Sequence, residues 1–313
     1  MNKQNETVTV QQGEWRVLTP AVVGVPDQQV RPVWTLVLAA KEIPYQIDND
    51  QSGLHLLVPE ERLAEALHQI RLYEEENHNW PPPLPPAREL DQNILVTLSV
   101  LILLAAFHNL IRSDLLLINE TLADWFSLGM AQAGRIRGGE SWRLVTALTL
   151  HADLQHLLGN LVIGGLFVFL LCREIGTGLS WFLLLVAGSL GNLANGYVQL
   201  DTHNSVGAST AVFGVVGILA GLSVIRYRQH LRHRWPLPIG GAVALLVVLG
   251  SEGSNTDLGA HLFGFLFGVP LGLITELLIS RFGQVGRVVN MLLGLFSILI
   301  VVGAWWVALA GRV

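Results

Sequence analysis

The chain has 313 residues, of which 51% are hydrophobic and only 14% charged, with a formal net charge of −5. Its mean hydropathy of +0.49 is too apolar for an ordinary soluble protein of this size. The single cysteine, Cys172, excludes an internal disulfide and a cysteine-based metal site.

Charge is unevenly divided. Residues 1–90 hold seven Lys/Arg against thirteen Asp/Glu, whereas the remainder carries twelve basic and eleven acidic residues among long apolar runs. We therefore expect a small acidic α+β soluble domain over 1–79, a proline-rich linker over 80–91 ("WPPPLPP" at its start) and a polytopic helical membrane domain beyond it. In the first domain "EWRVLT" predicts a strand and Pro32 to Ile43 a helix with Pro in its first turn. "YQIDND" and "LHLLV" predict two strands joined through Ser52-Gly53. "PEERLAEALHQIRLYEEEN" predicts an amphipathic helix with Leu63, Leu67 and Ile70 on one face. The order is β-α-β-β-α.

The first ten residues are polar and the first long apolar run begins near Asn93, so that run is expected to act as the first membrane signal. Seven candidate spans follow, at 92–111, 155–172, 178–198, 207–225, 236–251, 258–280 and 288–310, each long enough for about 30 Å of hydrocarbon. Between the first two, "LADWFSLGM" predicts a short interfacial helix with Trp125 and Phe126 near the headgroups. Arg226, Arg228, Arg232 and Arg234 crowd one loop, and Arg173, Arg281 and Arg287 lie in loops on the same side. The loops at 199–206 and 252–257 have no Lys or Arg. The positive-inside rule then puts the N-terminus in the cytoplasm and the C-terminus outside.

With that orientation, the second, fourth and sixth spans all begin on the outer side, near His156, Ser209 and His261. Polar groups inside a membrane domain usually mark function. A serine hydroxyl is a poor nucleophile without a base, and a neighbouring histidine can supply one near neutral pH. Glycines thin both helices, with Gly264 and Gly268 at the four-residue spacing of close helix packing. Phe213, one turn below Ser209, can pack on the His261 imidazole. His156 and Asn160 are four residues apart on one helix face, and both can donate hydrogen bonds to an oxyanion.

These residues resemble the rhomboid intramembrane serine proteases. Gly207-Ala208-Ser209 resembles the family's G-x-S element. Residues 260–268, "AHLFGFLFG", resemble its A-H-x-x-G-x-x-x-G element, and His156 to Asn160 its H-x-x-x-N element. Trp142-Arg143 in "GGESWRLVT" is similar to its W-R element. The resemblance covers about 92–280. It implies a six-helix protease core there, with 281–313 as an extra seventh transmembrane helix. It further implies Ser209 as nucleophile, His261 as base, and His156, Asn160 and the Ser209 N–H as oxyanion donors. Thr210 departs from the family pattern, which has Gly after the serine.

The plainer roles are a structural anchor for Trp142-Arg143, an interfacial position for Glu276, and a helix cap for Asp257 in place of orienting His261. His151, five residues before His156, is expected on another face, so the two are not expected to share a metal. No metal or cofactor is expected, and no H-E-x-x-H zinc motif is present. The expected partners are transmembrane protein substrates and the lipid bilayer, not nucleic acid; what the N-terminal domain binds is left open. A bacterial inner membrane is the simplest location. Two other classes stand beside the protease: an inactive rhomboid-like protein that binds clients, and a transporter, which would spread its polar groups along midplane depth.

Overall fold

The computed structural model describes residues 14–18, 33–50, 53–78, 88, 94–112, 117–118, 121–122, 124–227 and 257–311. The chain divides into two compact units, Met1–Pro83 and Leu84–Val313.

The first unit runs β1 (Trp15–Leu18), α1 (Val33–Ala40), β2 (Gln46–Asp50), β3 (Gly53–Pro59) and α2 (Leu63–Glu76), with a 3₁₀ turn at Glu60–Arg62 leading into α2. The sheet is antiparallel in the order β1-β3-β2, with Leu18 opposite Leu56 and Ile47 opposite the same residue on the other edge. Both helices contribute to the core, where Trp34, Leu38, Leu56, Val58, Ala66 and Ile70 are all buried. The buried Trp34 indole donates to Glu74 at 2.7 Å, which satisfies its only polar atom. Helix α1 stops at Ala40, short of the predicted Ile43. Glu42 adopts a left-handed φ of 55°, and the Ile43 amide turns back to the Leu38 carbonyl, which returns Ile43 to the core.

The second unit opens with α3 (Ile94–Arg112). A small hairpin of β4 (Leu117–Ile118) and β5 (Thr121–Leu122) follows, then α4 (Trp125–Gly129), β6 (Ala131–Gln132), α5 (Ala133–Arg137) and α6 (Arg143–Thr146). Next come α7 (Leu154–Ile175), α8 (Thr177–Val198), β7 (Asn204–Ser205), α9 (Ser209–Arg226), α10 (Leu258–Phe282) and α11 (Arg287–Ala310). Among the described residues, α3 and α7 to α11 are the six helices long and apolar enough to cross a membrane. The predicted span 236–251 lies outside the described residues.

Burial ranks these helices. Two thirds of the apolar window of α9 is enclosed, against about a tenth for α3 and α11, so α9 is central and those two are peripheral. Glycine explains how α9 and α10 meet. A Cβ at Gly264, Gly268 or Gly272 would land on the backbone oxygens of Thr210, Gly214 and Ile218 respectively. Backbone therefore lies on backbone along this contact, the arrangement that small residues at four-residue spacing permit.

Candidate active site

The segment before α7 is held by polar staples. Arg143 is 1% exposed, and its guanidinium donates to Glu140 at 2.6 Å and to the carbonyls of Met130 and Ser127 at 2.8 and 2.9 Å. Trp142 donates to the Leu128 carbonyl at 3.3 Å. Both residues anchor the loop and neither reaches Ser209 through these bonds. Trp125 packs edge-on against Phe107 and Trp305 at 5.9 and 5.3 Å. It thus serves the contact with α11 as well as any headgroup position, because the α11 indole fills the space beside Gly129. The Trp305 indole also donates to Thr149 at 3.1 Å.

Two bonds lead from this loop to the serine. β6 pairs with β7, and the Gly207 amide donates to the Ala147 carbonyl at 3.0 Å. Gly207 has φ of +134°, open to glycine and strained for other residues. A side chain there would also meet the His156 ring at 2.5 Å and the Ser209 hydroxyl at 3.3 Å. His156, Gly207 and Ser209 are therefore brought into one small space. Ser209 is the first residue of α9, so its N–H is among the helix-end amides that lack an intrahelical partner.

His261 lies in the first turn of α10, and its Nε2 is 2.8 Å from the Ser209 hydroxyl oxygen. The Phe213 ring stacks on the imidazole, centroids 4.5 Å apart and planes 24° from parallel. His261 is buried at 4% exposure, and its Nδ1 has no hydrogen-bond partner among the described residues. Asp257 does not orient the ring. Its Oδ1 caps α10 by accepting from the Ala260 amide at 3.0 Å, and its Oδ2 takes His203 at 2.8 Å and Asn195 at 2.6 Å. Burial pushes the Asp257 carboxyl up, but the bonds from His203 and Ala260 outweigh it and hold the group below the usual carboxylate range.

Asn160 sits where α7 widens into a π-helical turn over Asn160–Gly164. Its side-chain amide donates to the His156 carbonyl at 3.0 Å, which leaves one N–H to offer elsewhere. It lines, together with His151 and Ala208, a mainly apolar cavity of about 1080 Å³ bounded by α3, α7, α8 and α11.

His151 departs from expectation. Its ring is 5.5 Å from that of His156, because residues 151–153 are not helical and the helical-face argument does not reach them. Burial pushes the His151 imidazole down to about 3, with the His156 and His108 rings adding to the shift, so it is uncharged near neutral pH. No metal-binding group of His, Cys, Asp or Glu occurs among the described residues. Glu276 is also corrected. It is 3% exposed and receives Arg88 on both carboxylate oxygens, because a charge at that depth needs a partner.

Thr210 is buried, and its methyl lies against Gly191 of α8, where a Cβ would meet it at 2.7 Å. The extra volume beside Ser209 is thus taken up by a glycine on a third helix. Gly191 had no visible role in the sequence, since its partner is 19 residues away on another helix. Gly272 was not singled out either, although it continues the four-residue spacing of Gly264 and Gly268.

Comparison with known proteins agrees with this architecture. A family model described as the rhomboid domain matches residues 138–277. The Bacillus subtilis rhomboid protein YdcA is 32% identical over 171 residues, covering 54% of this chain and 80% of that protein. Rhomboid-like protease 3 of Toxoplasma gondii is 35% identical over 147 residues, 46% of this chain and 55% of its own. The rhomboid protease GluP of Bacillus subtilis is 29% identical over 153 residues, 48% of this chain and 28% of its own. The chain belongs to the rhomboid family and is a multi-pass integral membrane protein of the intramembrane protease class.

Proposed function

We propose that this protein is an active serine endopeptidase that cleaves peptide bonds of client proteins within or next to the membrane, through a Ser209–His261 dyad. The observation that carries the proposal is the 2.8 Å approach of His261 Nε2 to the Ser209 hydroxyl. For His261 to act as base, Nε2 must be the unprotonated nitrogen, with the proton on Nδ1. Ser209 then attacks the scissile carbonyl carbon as its proton passes to Nε2. The oxyanion that forms is held by the Ser209 N–H and by His156 and Asn160. Collapse gives an acyl-enzyme, and the protonated His261 returns its proton to the leaving amine. Water, deprotonated by the same nitrogen, then attacks the ester and frees Ser209. With Asp257 engaged at the helix cap, the stacked Phe213 ring and the α9–α10 packing hold the imidazole in place of a third acid.

The same proposal takes 92–280 as the protease core, with α11 as an additional transmembrane helix after it. The acidic domain of 1–79 lies outside the chemistry, and the proline-rich 80–91 joins the two. The arginine distribution supports a cytoplasmic N-terminus and a site opening outward, in a bacterial inner membrane. Clients are transmembrane proteins whose helix can unwind locally.

The test is cleavage of a transmembrane reporter by detergent-solubilised protein. Ser209→Ala and His261→Ala should each abolish cleavage, and the double variant should be no worse, because such pairs act as a unit. A fluorophosphonate probe should label wild type and not Ser209→Ala. Cleavage surviving in Ser209→Ala would remove the nucleophile assignment. A wild type that binds reporter without cleaving it or taking the label would instead favour the inactive client-binding class.

A further inference from the structure

At the end of the bundle opposite Ser209, four charged residues from four parts of the chain gather. Arg88 Nη2 lies 2.5 and 2.6 Å from the two carboxylate oxygens of Glu276. Arg88 Nη1 and Arg226 Nη1 each lie 3.8 Å from the same oxygen of Glu174. The side chains of Arg88, Glu276 and Arg226 are only 11%, 4% and 12% exposed. Two positive and two negative groups make the cluster neutral, and it stays neutral only with Arg88 present.

The helices involved are those of the candidate active site. Glu174 lies in the last turn of α7, whose first turn holds His156. Arg226 ends α9, which begins with Ser209. Glu276 lies in the last part of α10, whose first turn holds His261. The separations are 18, 17 and 15 residues, or roughly 22–27 Å at about 1.5 Å per residue. The three helices are thus joined at one end by the site itself and at the other by this ion cluster. Three of its four members belong to those helices. The fourth, Arg88, comes from the stretch that leads from the first unit into α3.

We propose that Arg88 is a positioning residue for the dyad. It clamps the far end of α10 against α7 and α9, and so helps set where His261 stands relative to Ser209. The proposal rests on the dyad mechanism above. Without Arg88, Glu276 keeps a buried carboxylate with no guanidinium on it. Such a group must take up a proton or draw in water, and either disturbs the packing of its helix. Because α9 and α10 meet backbone to backbone, a shift of one end is carried along the contact with little side-chain compliance to absorb it. Arg88, which precedes α3, is then a working part of the catalytic unit.

The experiment uses the full-length protein in detergent, with cleavage of a transmembrane reporter and thermal melting measured side by side well below each variant's melting point. Arg88→Gln should lower kcat on the order of ten-fold with little change in KM. Arg88→Lys should recover part of the loss. Arg88→Glu and Glu276→Arg should each be impaired, and the double variant that exchanges the two charges should return kcat towards wild type. Rescue by exchange is the result a general loss of folding would not give. Should Arg88→Gln fail to fold, the exchange pair and Arg88→Lys carry the decision. A wild-type kcat in folded Arg88→Gln, or a folded exchange variant as slow as its parents, would overturn the positioning role while leaving the dyad intact. An inactive wild type would overturn both.

Discussion

At the scale of single residues, the groups around Ser209 divide into those that meet developing charge and those that hold a helix end. His156 and Asn160 are proposed for the first task. Removing one oxyanion donor typically lowers kcat by about 10² to 10³. His156→Ala should show a loss of that size in kcat with a smaller change in KM, since the charge exists only beyond the ground state. Asn160→Ala should cost less, because one of its N–H groups is already committed to the His156 carbonyl. A melting point that collapses while kcat of the folded fraction stays normal would make both residues structural. Asp257 has the second task. Its carboxyl is held below the usual range in the folded protein, so its contribution to stability is present above the ordinary Asp pKa of about 3.9 and is lost as pH falls through the lower folded value. Thermal melts in wild type should fall as pH drops below about 4, and Asp257→Asn should flatten that part of the profile. At neutral pH the cap itself should be largely kept, because Asn ranks with Asp at a helix N-cap, and the loss should be that of the charge facing His203 and Asn195. Identical pH profiles would remove the assignment.

At the scale of elements, the legible features were those written in local spacing. The four-residue rhythm of Gly264 and Gly268 announced a close helix contact, and Gly272 continues it. The i, i+4 placement of His156 and Asn160 put them on one stretch of α7, but not the π-helical turn that starts at Asn160, which has no pattern of its own. The Asp257 cap could be read as one of two options from its place before α10. The His203 and Asn195 side chains that settle on it could not, because they come from a loop and helix more than 50 residues earlier. The same limit hid Arg88: nothing near it in the chain hints at Glu276, which is 188 residues away. The contact between α9 and α10 yields its own prediction. Gly264→Ala places a Cβ on the Thr210 carbonyl oxygen, next to the nucleophile. Overpacking of this kind costs about 1–3 kcal/mol. A displacement near 1 Å of one dyad member lowers activity by about 10². Gly303→Ala in α11, where a Cβ meets nothing within 4 Å, is the matched control and should leave both melting and cleavage unchanged. Normal cleavage by Gly264→Ala would show that the dyad tolerates a looser helix pair.

At the scale of the whole molecule, composition divides an acidic first stretch from an apolar remainder, and the boundary between the two compact units, Pro83 to Leu84, falls inside the proline-rich stretch. Within the second unit, the glycine-mediated contact described above has a mechanical consequence. Where Gly264, Gly268 and Gly272 set backbone against backbone, α9 and α10 have little soft layer along which to slide, and they act as a single strut carrying both halves of the dyad. On the proposed mechanism, a client segment would then be admitted by movement of other helices. A covalent crosslink joining α9 to α10 should accordingly leave reporter cleavage at the uncrosslinked rate. Loss of turnover that returns when the link is cut would mean that the strut itself bends to let the client in.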